Sequence, residues 1–280
     1  MVNYIYKSKN GKYNKKLSVC GNVVYKVEYM HDVFYGFKGE SLRTMEMGKN
    51  IEKNRHDGVV KARRNIMMYA QNNFNAAYDK FITLTFKENI TDLKIANNLF
   101  KKFIQRLRYK IRKDFKYLAV IEFQKRGAVH YHMLSNMDYI KKDELSKIWE
   151  NGFIKINRIK HVDDLGAYLI AYIGKNTKKK NKDKDFDLLK RNKSYLRSNN
   201  LKKPEWLIGA DCEDKEKELN LSNKEICYNK IYPRPIGDDE VSLVTFTQYK
   251  IKSSYDKGYT IKGCNSIFSV LAENQRQNRV

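Results

Sequence analysis

The stretch "YLAVIEFQKRGAVHYHMLS", Tyr117 to Ser135, restricts the fold more than any other part of the chain. Two apolar and aromatic arms flank Lys125, Arg126 and Gly127. A glycine closing a short loop supplies the left-handed backbone that a hairpin turn needs. With these residues as the loop, Gln124 faces Ala128. Counting outward then sets Glu122 opposite His130, and Val120 opposite His132. Side chains two apart on a strand share a face, so His130 and His132 project together while Tyr131 points the other way. Directly opposed residues also share a face, with Cβ atoms about 5 Å apart. Glu122, His130 and His132 therefore converge. Two imidazoles and a carboxylate leave coordination positions open, which suits a catalytic metal better than a structural one. The ligands alone accept Zn²⁺ as well as Mn²⁺ or Mg²⁺. The competing reading is a coincidental His-x-His pair in a chain with five histidines.

The flanking sequence extends this hairpin into a sheet. "FITLTF" (Phe81–Phe86) alternates, with Ile82, Leu84 and Phe86 on one side and Phe81, Thr83 and Thr85 on the other. Thr91 or Asp92 can cap a helix that runs to about Lys113. Its apolar positions Leu93, Ala96, Leu99, Phe100, Phe103, Ile104 and Leu107 repeat at threes and fours. Its other face carries Lys101, Lys102, Arg106 and Arg108. "VKARRNIMMYAQNNF", "KDELSKIWE" and "VDDLGAYLIAYIGKN" have helical spacing, and "FIKINRI" reads as a strand. From "FITLTF" onward the order is β-α-β-β-α-β-α, an α+β pattern with an antiparallel sheet. Residues 175–193 are dense in lysine and read as a basic loop. "KSYLRSNNLKKPEW" suggests one more strand. Residues 1–55 alternate weakly and form a β-rich N-terminal extension. Residues 205–280 have a mixed pattern that supports no assignment.

The formal net charge of +24 favours a polyanionic partner, most simply nucleic acid. Solubility and a Lys-rich coding bias are the plainer explanation. Cys20, Cys212, Cys227 and Cys264 include no C-x-x-C pair, which argues against a zinc ribbon. The basic start lacks an apolar segment behind it, and no apolar run is long enough to span a bilayer. The expectation is a soluble, cytoplasmic protein with no membrane partner. Tyr168 and Tyr172 are spaced i, i+4 and share a helical face, with Lys175 three residues further on the same side. Leu169 and Ile173 form an apolar pair on a different face. A tyrosine pair at this spacing is ordinary packing unless one hydroxyl acts as a nucleophile. A phenol needs help to do so, from a metal that polarises the phosphate and from Lys175.

Taken together, "FITLTF", "EFQKRGAVHYH" and "YLIAYIGK" resemble the three motifs of HUH endonucleases. More closely they resemble the rolling-circle replication initiators of single-stranded DNA phages and plasmids. The middle motif matches at His130, Tyr131 and His132. The third matches at Tyr172 and Lys175, and Tyr168 matches the second tyrosine of phage-type initiators. The resemblance covers roughly residues 63–204. It implies an α+β fold: a five-stranded antiparallel sheet with flanking helices, related to the RNA-recognition (ferredoxin-like) core, with the histidines on a central strand. It implies a divalent metal, Mg²⁺ or Mn²⁺, held by His130, His132 and Glu122. It also implies attack by Tyr172 on single-stranded origin DNA, a 5′-phosphotyrosine link, and a free 3′-hydroxyl that primes synthesis. The endonuclease domain would then span 56–204, between the N-terminal extension and an accessory region at 205–280. Lys101, Lys102, Arg106, Arg108, Lys178, Lys179 and Lys180 are the expected DNA contacts. No G-x-x-x-x-G-K-[ST] occurs, because Gly174–Lys175 is followed by Asn176. A host helicase and polymerase are therefore expected partners, in the cytoplasm of a bacterial host. The rival readings are an HUH transposase and a non-catalytic DNA-binding regulator.

Overall fold

Glycine and β-branched residues at the chain's turns and strands prefigure two sheets. The structure, a computed structural model, describes residues 11–35, 51–124, 126–159, 165–171, 195–235 and 241–251. The chain divides into two units, one spanning 50–202 and one that joins the segments 1–49 and 203–280. In chain order the elements are β1 (Gly11–Cys20), β2 (Val23–Tyr35), α1 (Ile51–Asn73), β3 (Lys80–Phe86), α2 (Leu93–Lys110), β4 (Tyr117–Phe123), β5 (Val129–Ser135), α3 (Lys142–Trp149), β6 (Gly152–Arg158), α4 (Leu165–Ile170) and β7 (Tyr195–Arg197). There follow β8 (Leu207–Ile208), α5 (Ala210–Leu219), β9 (Glu225–Pro235) and β10 (Val241–Lys250).

Among the described residues of 50–202, five antiparallel strands lie in the order β6-β3-β5-β4-β7. The histidine strand β5 is the central one, and every residue in it is buried. Strand alternation splits the core in two. Ile82, Leu84, Tyr131 and Met133 face α2 and α3, where they meet Phe100, Phe103, Leu107 and Trp149. Asp92 caps α2 by accepting from the backbone N–H of Lys94 at 2.6 Å and of Ile95 at 3.3 Å. Tyr131 stacks on Phe100, with centroids 4.5 Å apart, and its hydroxyl donates to Asn97 Oδ1 at 2.8 Å. A buried phenol thereby keeps its polar end paired.

The opposite face of the sheet carries Phe81, His130 and His132, and α1 and α4 pack on this side. The approach of α4 to α1 is close. A Cβ on Gly166 would collide with Met67 Cα, so only glycine permits this packing. The α+β architecture, with its five-stranded antiparallel sheet, is compatible with an HUH-type fold.

In the other unit the described strands run β8-β1-β2-β10-β9, again antiparallel. The C-terminal region, unassignable from its pattern, supplies β9 and β10 and pairs with β2 of the N-terminal segment. Helix α5 covers one face through a small core of Leu17, Val24, Cys212 and Leu221. Glu216 of α5 ties the strands together by accepting from Lys15 at 3.0 Å and Lys26 at 2.6 Å.

Candidate metal centre

The β4–β5 turn has the register that its glycine requires. Gly127 sits at φ +84°, Gly127 N–H donates to Gln124 O at 2.7 Å, and Gln124 N–H donates to Ala128 O at 2.8 Å. Glu122 pairs with His130 and Val120 with His132. On the other side of β5, Thr85 pairs with His130 and Thr83 with His132. One ligand atom from each of Glu122, His130 and His132 lies within 4.8 Å of the others, so the cluster could hold a metal ion.

The two imidazoles differ in how they are satisfied. His132 is 4% exposed, with Nε2 2.5 Å from Glu122 Oε2 and Nδ1 3.2 Å from Thr83 Oγ1. A hydroxyl both donates and accepts, so Thr83 can hold this ring in either tautomer. His130 is 8% exposed, and its Nε2 is enclosed without a hydrogen-bond partner. Leaving a buried ring nitrogen unpaired is costly, and a cation at the cluster would satisfy it. Burial, and then the proximity of His132, push the His130 pKa down to about 4; Arg126 acts the same way and Glu122 opposes it. His130 is therefore neutral at pH 7, the form in which an imidazole lone pair binds a metal. A buried, neutral imidazole and a half-buried carboxylate fit a divalent cation.

Tyr168 reaches this face through an aromatic intermediary. Its ring meets Phe81 edge-on at 4.8 Å, and Phe81 stacks on His132 at 5.9 Å. Neither Thr83 nor Phe81 was picked out as a site residue from the sequence. The signal was present, since both lie on the side of "FITLTF" away from Ile82 and Leu84. Tyr172, Lys175, Lys178, Lys179 and Lys180 fall outside the described residues.

The basic residues of α2 separate into two kinds. Lys101 and Lys102 are exposed. Because α2 packs on the Tyr131 face, they lie across the sheet from the histidines. Arg106 is engaged within the unit. Its Nε donates to Ile148 O at 2.7 Å, one terminal nitrogen to Trp149 O at 3.1 Å, and the other pairs with Glu150 at 3.1 Å. It thereby satisfies carbonyls at the end of α3. Arg108 is half-buried, and its Nε is enclosed without a hydrogen-bond partner.

Residues 79–177 match the family model of the replication-associated protein ORF2. The matched span of this replication-associated family runs from the start of β3 past α4, and contains Glu122, His130, His132, Tyr168 and Tyr172. It is consistent with the resemblance to rolling-circle initiators drawn from the motifs. Neither the curated proteins nor the solved structures contain a match. Among the described residues, no helix is long and apolar enough to cross a membrane.

Proposed function

We propose that this protein nicks and rejoins single-stranded DNA at an origin and thereby initiates rolling-circle replication. The carrying observation is the buried Glu122–His130–His132 cluster on the central strand, inside a segment that matches a replication-associated family. A divalent cation, Mg²⁺ or Mn²⁺, held by these three residues supplies Lewis-acid polarisation of a scissile phosphate. His130 contributes its unpartnered Nε2, Glu122 a compensating negative charge, and Thr83 the orientation of the His132 ring.

In this reading the endonuclease domain spans 56–204 and includes the basic loop 175–193. Tyr172 is the first nucleophile. Its phenolic oxygen bonds to phosphorus as the bond to the 3′ oxygen breaks, the phenol proton passing to solvent. The products are a 5′-phosphotyrosine and a free 3′-hydroxyl. Lys175 meets the charge that develops on the phosphate. Rejoining is the reverse attack by a 3′-hydroxyl, so it needs no ATP. Tyr168 serves as the second nucleophile, its ring steadied by Phe81. Lys178, Lys179 and Lys180 hold the cleaved strand. Lys101 and Lys102, across the sheet, contact DNA outside it. A host helicase and polymerase act with the protein in the bacterial cytoplasm.

The test is cleavage of single-stranded candidate origins and of supercoiled plasmid in Mn²⁺. The expected product is a nicked DNA covalently bound to protein. Tyr172→Phe should lose the adduct, whereas Tyr168→Phe should keep the first nick and impair a second cleavage. Nicked DNA with no protein attached under any condition would sink the reading.

A further inference from the structure

The sheet of the unit built from the segments 1–49 and 203–280 has a second face that nothing above uses. Lys15, Leu17 and Lys26 point to α5. Alternation and register fix what the other face presents. Tyr29 of β2 is level with Val244 of β10 and Tyr232 of β9. One row along come Phe246 and Lys230, with Tyr228 beyond them and Arg234 on the opposite side. Lys230, Tyr232 and Arg234 are exposed, and Tyr29, Tyr228 and Phe246 are half-buried.

The cations here are held by rings. Lys230 Nζ lies 5.1 Å from the Tyr232 ring and Arg234 Cζ lies 5.4 Å from the Tyr29 ring. Tyr228 and Phe246 pack edge to face at 6.0 Å. Among the described residues, neither Lys230 nor Arg234 has a carboxylate partner. The carboxylate that the register sets on this face is Glu225, at the far end of β9 opposite Lys250.

We propose that this face binds single-stranded DNA without sequence preference, with Tyr29, Tyr228 and Tyr232 stacking on bases and Lys230 and Arg234 meeting phosphates. Exposed rings beside unpaired cations fit a strand that offers flat bases and a phosphate at every step. A duplex hides its base faces, so rings on an open sheet gain little from it. An acidic peptide would meet the cations but leave the tyrosines without flat partners. The proposal does not depend on cleavage, since no residue of the Glu122–His130–His132 cluster takes part.

The experiment uses the full chain in EDTA, so that nothing is cut, and a fluorescent 20-nucleotide oligodeoxythymidylate read by anisotropy over a salt series. Tyr232→Ala should weaken binding about tenfold at an unchanged salt slope, because one stacked base is lost. Lys230→Ala with Arg234→Ala should lower the slope by about 1.4, at about 0.7 per phosphate contact on a single strand. Photocrosslinking of a 5-bromodeoxyuridine oligomer should label a peptide that contains Tyr228 or Tyr232. Affinity and slope unchanged in both variants, with wild-type circular dichroism, would overturn the proposal. So would equal weakening by Tyr232→Ala for a duplex of the same length, or tighter binding of an acidic peptide than of the oligomer. Failure of the cleavage reading would leave these binding results intact.

Discussion

The two sheets have the same number of described strands and the same antiparallel pairing, yet they treat polar side chains in opposite ways. In the 50–202 unit the central strand β5 is covered on both faces. A polar group there must be paired within the protein or bind something else. His132 is paired with Thr83 and Glu122, whereas His130 keeps an enclosed, unpartnered Nε2. Burial thus turns an ordinary imidazole into a neutral ligand. In the other unit, one end of the sheet beyond α5 stays open, and cations rest on tyrosine rings in reach of water. Exposure there yields a weak, salt-sensitive surface. The contrast is between a site that depends on a few fixed atoms and a surface that depends on summed small contacts.

The largest effect should come from the enclosed site. His130→Ala or His132→Ala is expected to abolish metal-dependent cleavage and Mn²⁺ binding measured by calorimetry, with far-UV circular dichroism unchanged. Partial activity in both would mean that the cluster is not the metal site. Arg106→Ala comes next. It strips charged donors from the end of α3 and should cost about 3 kcal/mol in chemical denaturation. DNA affinity should hardly change, while Lys101→Ala should do the reverse. If Arg106→Ala instead lowers the salt slope of binding at constant stability, the division of α2 into structural and exposed cations is wrong.

Gly166→Ala tests how firmly the Tyr168 helix is seated. The added methyl must push α4 away from Met67, at about 2 kcal/mol measured by thermal melting, and cleavage should fall with it. The smallest expected effect lies in the other sheet. Burial disfavours the charged form of Glu216, but hydrogen bonds from Lys26 and Lys15 outweigh it and hold this carboxyl below its ordinary value. A depressed folded pKa gives stability that is present above the unfolded value and lost as pH falls through the folded one. Glu216→Gln should therefore cost about 1 kcal/mol at pH 7 and make the unfolding of this unit less sensitive to acid below the ordinary carboxylate range. An unaltered acid profile would assign the coupling of α5 to the strands to the apolar core alone.

The hairpin and its neighbours were legible because their information is local. Gly127 sets the turn, the turn sets the register, and the register brings Glu122 beside His130. Helix α2 was readable for the same reason, from Asp92 and a clean apolar repeat. Long-range partners were not readable. Periodicity puts Thr83 and Phe81 on the correct face, but only the pairing of β3 with β5 brings them against His132. Arg106 looks like one more surface cation until α3 ends beside it. The 205–280 region resisted assignment because β9 is an edge strand that carries Pro233 and Pro235 and exposes much of its length. Proline is tolerated at edges but blurs a strand pattern. Its partner β10 in turn pairs with β2, near the other end of the sequence.

The central claim is that the Glu122–His130–His132 cluster serves a tyrosine nucleophile carried on the segment that begins with α4. Mass spectrometry of the peptide linked to DNA, after incubation of the protein with a cleaved single-stranded origin in Mn²⁺, tests it most directly. The account predicts DNA on Tyr172, no adduct in EDTA, and none in His132→Ala. DNA attached to neither Tyr172 nor Tyr168, or an adduct of equal yield in His132→Ala, would contradict it.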